Sequence, residues 1–214
     1  GLQSGQKFGV NLCYVVQERN EKSLIGLGPA ILSVKAWLKE GEDFVVACGD
    51  SILCDFSSAD PLNCLKPLIK VHLSTNALAT VLLHPTKVDP TRFGVVKFRK
   101  LQEENGLMYG ELHRLIEKPS LKVAEAYKCN KHNFIIAGYY AFKPKIFSYI
   151  EKTKPGVKNE VQVTDSIAMA LEDGEKVYGV VHGKKDGNEF LPYAYWDVGI
   201  PEDYKEANKR LLDA

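Results

Sequence analysis

Short apolar runs that alternate with amphipathic stretches constrain this chain more than any other feature. Asn11–Gln17 (NLCYVVQ) and Phe44–Cys48 (FVVAC) each end in polar residues and have the length of a buried strand. Between them Ala30, Ile31, Val34, Trp37 and Leu38 recur at helical spacing, with Pro29 at the start and Gly41 beyond the end. The alternation continues with a helix at Pro61–Val71 and a strand at Ala77–Leu83. β-rich stretches follow at Gly94–Arg99 and Gly110–Ile116, with a turn at Gly106. Beyond them the pattern predicts a helical segment near Leu121–Lys128, a strand at Phe134–Phe142, and helices near Lys145–Lys152 and Val163–Leu171. A strand at Val177–Val181, a loop at Gly183–Pro192, the strand-like Tyr193–Trp196 and a helix at Pro201–Leu212 complete it. Strands alternating with helices predict an α/β fold, and the hairpin-like middle predicts that some strands run antiparallel. No repeat or low-complexity linker interrupts the pattern, so residues 1–214 read as a single domain.

Several function classes fall away on composition. Lys plus Arg number 28 against 27 Asp plus Glu, a net charge of +1 that gives no electrostatic reason to expect a nucleic-acid or membrane surface as partner. Charge that meets a phosphate must therefore be local. Five cysteines with no C-x-x-C pair argue against a disulfide framework and a zinc site. No apolar run approaches the roughly 20 residues of a membrane span, and Gly1–Val10 lacks the apolar stretch of a secretory signal. The expectation is a cytoplasmic protein. The five histidines form no H-x-x-x-H or H-E-x-x-H pattern and read as structural or surface residues.

Four stretches carry chemistry. Asp50, in Cys48-Gly49-Asp50-Ser51, lies just past a buried strand, where ligands of α/β sheets gather and a carboxylate can hold Mg²⁺; alone, such an Asp more often begins a turn. Asp197, in Tyr195-Trp196-Asp197-Val198-Gly199, has the same relation to a strand. Mg²⁺ takes one or two protein carboxylates and fills its other positions with water and phosphate oxygens, so this pair suits a nucleotide enzyme. Glu117-Lys118-Pro119 places an acceptor for sugar hydroxyls beside a cation for phosphate, against the blander reading of a solvated pair. Gln17, followed after a polar loop by Gly26-Leu27-Gly28-Pro29-Ala30, offers an amide that can read a base edge and glycines that admit a flat ring, although glycine before a helix is more often only a turn.

Together these stretches resemble the glucose-1-phosphate nucleotidylyltransferase family, which includes thymidylyl- and uridylyltransferases. The resemblance runs through Gln17 with Gly26-Leu27-Gly28, Gly49-Asp50-Ser51, Asp89-Pro90-Thr91-Arg92-Phe93-Gly94-Val95-Val96, Ile116-Glu117-Lys118-Pro119, Asn133 with Ala137-Gly138-Tyr139-Tyr140, Glu160–Asp165 and Trp196-Asp197-Val198-Gly199. It covers nearly the whole chain and extends to Pro201-Glu202-Asp203-Tyr204.

The resemblance implies a Rossmann-like mixed sheet, the nucleotide-diphospho-sugar transferase fold. It implies that Gln17 and Gly26 meet the nucleobase and that Asp50 and Asp197 ligate Mg²⁺. Gly94, Glu117 and Lys118 then contact the sugar phosphate, with Asn133 and Gly138 shaping the sugar pocket and Asp50, Lys118 and Asp197 carrying catalysis. The implied partners are a nucleoside triphosphate, dTTP or UTP, and a sugar 1-phosphate such as glucose 1-phosphate; a homo-oligomer is compatible. Mannose-1-phosphate guanylyltransferase and a non-catalytic sugar-nucleotide-binding module are the rival readings. Members of the family open with a strand and a G-G-x-G-T-R loop that wraps the triphosphate, and this sequence starts beyond them. The expectation is an N-terminally truncated domain, inactive alone. Ser51 stands where the thymidylyltransferases usually carry Asn.

Overall fold

The computed structural model describes residues 4–17, 25–58, 60, 63–156, 159–187 and 189–212. Ten strands and six α-helices are present among them: β1 (Phe44–Ala47), β2 (Ser51–Cys54), β3 (Ala79–Thr86), β4 (Gly94–Glu104), β5 (Leu107–Glu117), β6 (Asn133–Phe142), β7 (Val177–Val181), β8 (Gly183–Asp186), β9 (Glu189–Pro192) and β10 (Ala194–Asp197). The helices are α1 (Leu27–Leu32), α2 (Leu65–Thr75), α3 (Leu121–Glu125), α4 (Ile146–Lys152), α5 (Val163–Glu172) and α6 (Pro201–Leu212).

Six strands form one mixed sheet in the order β1-β6-β3-β7-β5-β4. Only β3 and β7 run parallel; the other pairs are antiparallel. A further pairing, Val95 with Ile135 and Val96 with Phe134, returns β4 to β6, so five of the strands close on themselves. This explains why β3, β6 and β7 carry near-continuous apolar sequence. Their side chains are buried on both faces, as in Leu82, Leu83, Phe134, Phe142, Val177 and Val180. Gly179 is required by packing, because a Cβ there would come 2.4 Å from Leu83 Cδ1.

The predicted mixed α/β architecture is present, with four local differences. Asn11–Gln17 forms no strand. Leu12, Tyr14, Val15 and Val16 are exposed, because an apolar run becomes a strand only where a neighbouring edge completes its hydrogen bonds. The helix expected to reach Leu38 stops at Leu32, and Lys35–Trp37 continues as a separate 3₁₀ turn. Gly183–Pro192, expected as a loop, is the β8–β9 hairpin. The helix after Pro61 begins at Leu65 and extends to Thr75, where Asn76 turns left-handed at φ 53° and ends it; Pro61 itself lies outside the described residues. Among the described residues no helix is long and apolar enough to cross a membrane.

Candidate active site

The site is assembled from two pieces of structure. The first is a two-stranded ribbon in which β10 pairs antiparallel with β2, Asp197 opposite Ser51. The backbone amide of Val198 donates to the Asp50 carbonyl at 2.7 Å, which draws the two acidic residues together. A Cβ at Gly199 would lie 3.1 Å from Asp197 Oδ1 and 3.6 Å from Asp50 Oδ2, so both carboxylates face one spot and glycine leaves that spot open. The Gly199 amide also donates to Asp197 Oδ1 at 3.2 Å.

The second piece is the end of the β4–β5 hairpin inside the main sheet, where Gly94 pairs with Glu117. Thr164, in the first turn of α5, donates to Glu117 Oε2 at 2.8 Å and aims the carboxylate. Lys118 Nζ lies 3.4 Å from Glu117 Oε1. The Lys118 amide donates to the Phe93 carbonyl at 3.1 Å, and its backbone is left-handed at φ 45°. That conformation is costly for a residue that precedes proline, and strain of this kind is retained where neighbours over-determine the geometry.

Both pieces open on one cavity of about 160 Å³, whose lining includes Asp50, Gly94, Glu117, Lys118, Gly138 and Asp197. Six of the residues singled out from the sequence therefore meet. Gly138 joins the pieces: at φ 76°, a Cβ there would stand 2.3 Å from Ser51 Oγ and 3.0 Å from Ser51 Cβ. Acidic character pervades this corner. Burial first, then Asp50 and Asp197, push the Cys48 thiol up to about 11. Burial, and next Asp197, hold the Tyr195 phenol well above its ordinary value.

Three expected site residues lie elsewhere. Asn133 is buried beyond the cavity, where its Nδ2 donates to the Ala124 carbonyl at 2.7 Å and ties the end of α3 to β6. Gly26 precedes α1, and a Cβ there would meet the Val161 carbonyl at 2.6 Å, so close packing accounts for it. Gln17 is outside the cavity, and its Nε2 is buried without a hydrogen-bond partner among the described residues. Residues 18–24, which join Gln17 to the Gly26 stretch, lie outside the described residues.

Two contributors were missed at the level of sequence. Arg92 Nη2 donates to Asp197 Oδ2 at 3.2 Å, and Thr164 orients Glu117. Their signals were present, because each lies within a stretch already singled out, Asp89–Val96 and Glu160–Asp165. Nothing in the residue types indicated which member of each stretch would reach the cavity.

Among the described residues no three His, Cys, Asp or Glu side chains converge as a closed metal cage. Two carboxylates with open space between them suit Mg²⁺, which draws most of its ligands from water and phosphate.

The family model described as nucleotidyl transferase matches residues 1–214. The chain is 31% identical over 150 residues to the UTP–glucose-1-phosphate uridylyltransferase of Haemophilus ducreyi, covering 69% of this chain and 47% of that protein. It is 28% identical over 214 residues to the low-salt glycan biosynthesis nucleotidyltransferase Agl11 of Haloferax volcanii, covering 99% of this chain and 48% of the relative. The chain thus spans about half the length of the curated relatives it matches. Among solved structures, UDP-glucose pyrophosphorylase complexed with UDP-glucose superposes with a TM-score of 0.71 at 25% identity, over 90% of this chain and 64% of that one. The mixed sheet is therefore the nucleotide-diphospho-sugar transferase fold. With the family match running the length of the sequence, this chain belongs to the nucleotidyl transferase family, on the side that includes the sugar-1-phosphate nucleotidylyltransferases.

Proposed function

We propose that residues 1–214 form one nucleotidyltransferase domain carrying the cation and sugar-phosphate half of a sugar-1-phosphate nucleotidylyltransferase. A phosphate oxygen of the sugar 1-phosphate attacks the α-phosphorus of the nucleoside triphosphate, the bond to the β-phosphate breaks and pyrophosphate leaves. The observation that carries this reading is the meeting of Asp50 and Asp197 with Gly94, Glu117 and Lys118 around one cavity. Glucose 1-phosphate and UTP are the substrates favoured by the names of the relatives, with dTTP the second nucleotide.

Asp50 and Asp197 would hold Mg²⁺, which neutralises phosphate charge as it develops in the transfer. Glu117, fixed by Thr164, accepts sugar hydroxyls, and Gly94 lets the sugar phosphate approach the backbone. Lys118 supplies a cation to the phosphate. Catalysis then rests on positioning and electrostatics, with no covalent intermediate on the protein. The Gln17 amide, whose Nε2 has no partner among the described residues, suits a base edge, since a buried donor without a partner gains most from one. Strand β1, paired on one side only among the described strands, offers an edge for a second copy.

Calorimetric titration of the 214-residue chain with glucose 1-phosphate tests the sugar half. Lys118→Ala should weaken binding about tenfold, the loss of one charge-assisted contact; unchanged affinity would return Glu117 and Lys118 to a solvated pair. The sequence contains no G-G-x-G-T-R cradle for a triphosphate. Assayed alone with Mg²⁺, glucose 1-phosphate and UTP or dTTP, the chain should therefore release little pyrophosphate.

A further inference from the structure

The Asp89–Gly94 loop does more than lead into β4. Thr91 donates its amide to Asp89 Oδ1 at 2.8 Å and Phe93 closes a turn onto the Pro90 carbonyl at 3.1 Å, so the residue between them is held outward on a braced turn. That residue is Arg92. One arm of its guanidinium, Nη2, donates to Asp197 Oδ2 at 3.2 Å, and the other, Nη1, lies 3.9 Å from Asp203 Oδ2 in the first turn of α6. The guanidinium carbon also lies 5.7 Å from the centre of the Phe93 ring. Arg92, Phe93, Tyr195 and Asp197 line both the cavity described above and a second one, of about 360 Å³, which Asp203 lines and Asp50 does not. Arg92 thus stands in the wall between two cavities with a carboxylate on each side.

A guanidinium and a divalent cation carry like charge, so they compete for Asp197. Arginine is suited to such competition: its guanidinium stays charged and its rigid planar fork presents separate N–H arms to two carboxylates at once. We propose that Arg92 is a positioning residue with two partners, which occupies the Asp197 carboxylate while no cation is bound and yields to an incoming cation by passing to Asp203. Asp203 thereby sets how readily the cation site fills. The proposal rests on the reading of Asp50 and Asp197 as the cation pair. It makes Arg92 a brake on cation binding and Asp203 the group that releases the brake.

Free Mn²⁺ titrated into the full chain and followed by electron paramagnetic resonance tests this without any assay of turnover. Arg92→Gln should tighten Mn²⁺ binding about five- to tenfold, because a competing charge next to a ligand is gone. Asp203→Asn should weaken it about threefold, and in the double variant that weakening should disappear, because there is no longer a guanidinium to receive. Simple removal of charges predicts instead that the two effects add. Unchanged or weaker binding in Arg92→Gln, or an Asp203→Asn effect that persists without Arg92, would overturn the two-partner role and leave the cation pair standing. Absence of any Mn²⁺ binding that depends on Asp50 and Asp197 would overturn both.

Discussion

Glu117 and Gly94 face one another in register at the ends of β5 and β4, inside the main sheet, whereas Asp50 and Asp197 lie at one end of a ribbon of two four-residue strands outside it. The first pair inherits its position from a ladder that continues into a fully buried core. The second is held to that core by side chains: Tyr139 Oη donates to the Ser51 carbonyl at 3.0 Å, and His182 Nε2 to the Ala194 carbonyl at 3.1 Å. The rings of His84 and Tyr195 lie 5.1 Å apart. One cavity therefore has a rigid wall and a hung wall. A two-stranded ribbon is marginal alone, so the side-chain struts decide whether the carboxylates stay in place.

The largest effect should come from removing what both walls share. Phe134 is fully buried, edge-on to Phe98 and Phe190 at 5.1 Å each, on the strand that β3 and β4 both pair with. Phe134→Ala should cost about 3–5 kcal/mol in urea denaturation. A loss near zero would mean that the core tolerates the cavity and that the rigid wall is misidentified.

Gly138→Ala strikes the junction between the walls. Its left-handed backbone and the Ser51 contact should make alanine cost about 1–3 kcal/mol. Mn²⁺ binding should suffer more than glucose 1-phosphate binding; equal losses would deny the ribbon any independence.

Acid should separate the walls further. Burial, and then the neighbouring His182, depress His84 from 6.5 to about 4, and burial also lowers His182. A folded value below the unfolded one contributes stability that is complete above about pH 6.5 and drains away as the pH falls toward 4. Both histidines brace the ribbon. In a Trp37→Phe background, Trp196 fluorescence from β10 should therefore change at higher pH than the far-ultraviolet circular dichroism. Coincident transitions would refute a separately loosened ribbon, and His84→Phe should shift the fluorescence change to lower pH.

The smallest effect should mark the sugar side alone. Thr164→Val removes one hydrogen bond to Glu117, worth about 0.5–1.5 kcal/mol, so glucose 1-phosphate affinity should fall by up to about tenfold while Mn²⁺ affinity holds. A matching loss of Mn²⁺ binding would show that the two walls respond as one.

What the sequence determined by itself was the alternation of elements, the mixed character of the sheet and the stretches on which the candidate site lies. Local signals carry such information: apolar period, glycine and proline punctuation, and a carboxylate just after a strand. Asp50, Glu117, Lys118 and Asp197 were legible because each sits at or just past a strand end, whereas Gly94 and Gly138 were named only through the family resemblance. Only the tertiary structure decided that Asn11–Gln17 remains unpaired while the still shorter Ser51–Cys54 becomes a strand, because strand formation depends on a partner edge that no local pattern encodes. It likewise decided that the Asn133 amide would be consumed by the Ala124 carbonyl, and that Arg92, 105 residues from Asp197 along the chain, would share its charge. Contacts between residues so far apart arise from the path of the whole backbone, and residue type at either end does not specify them.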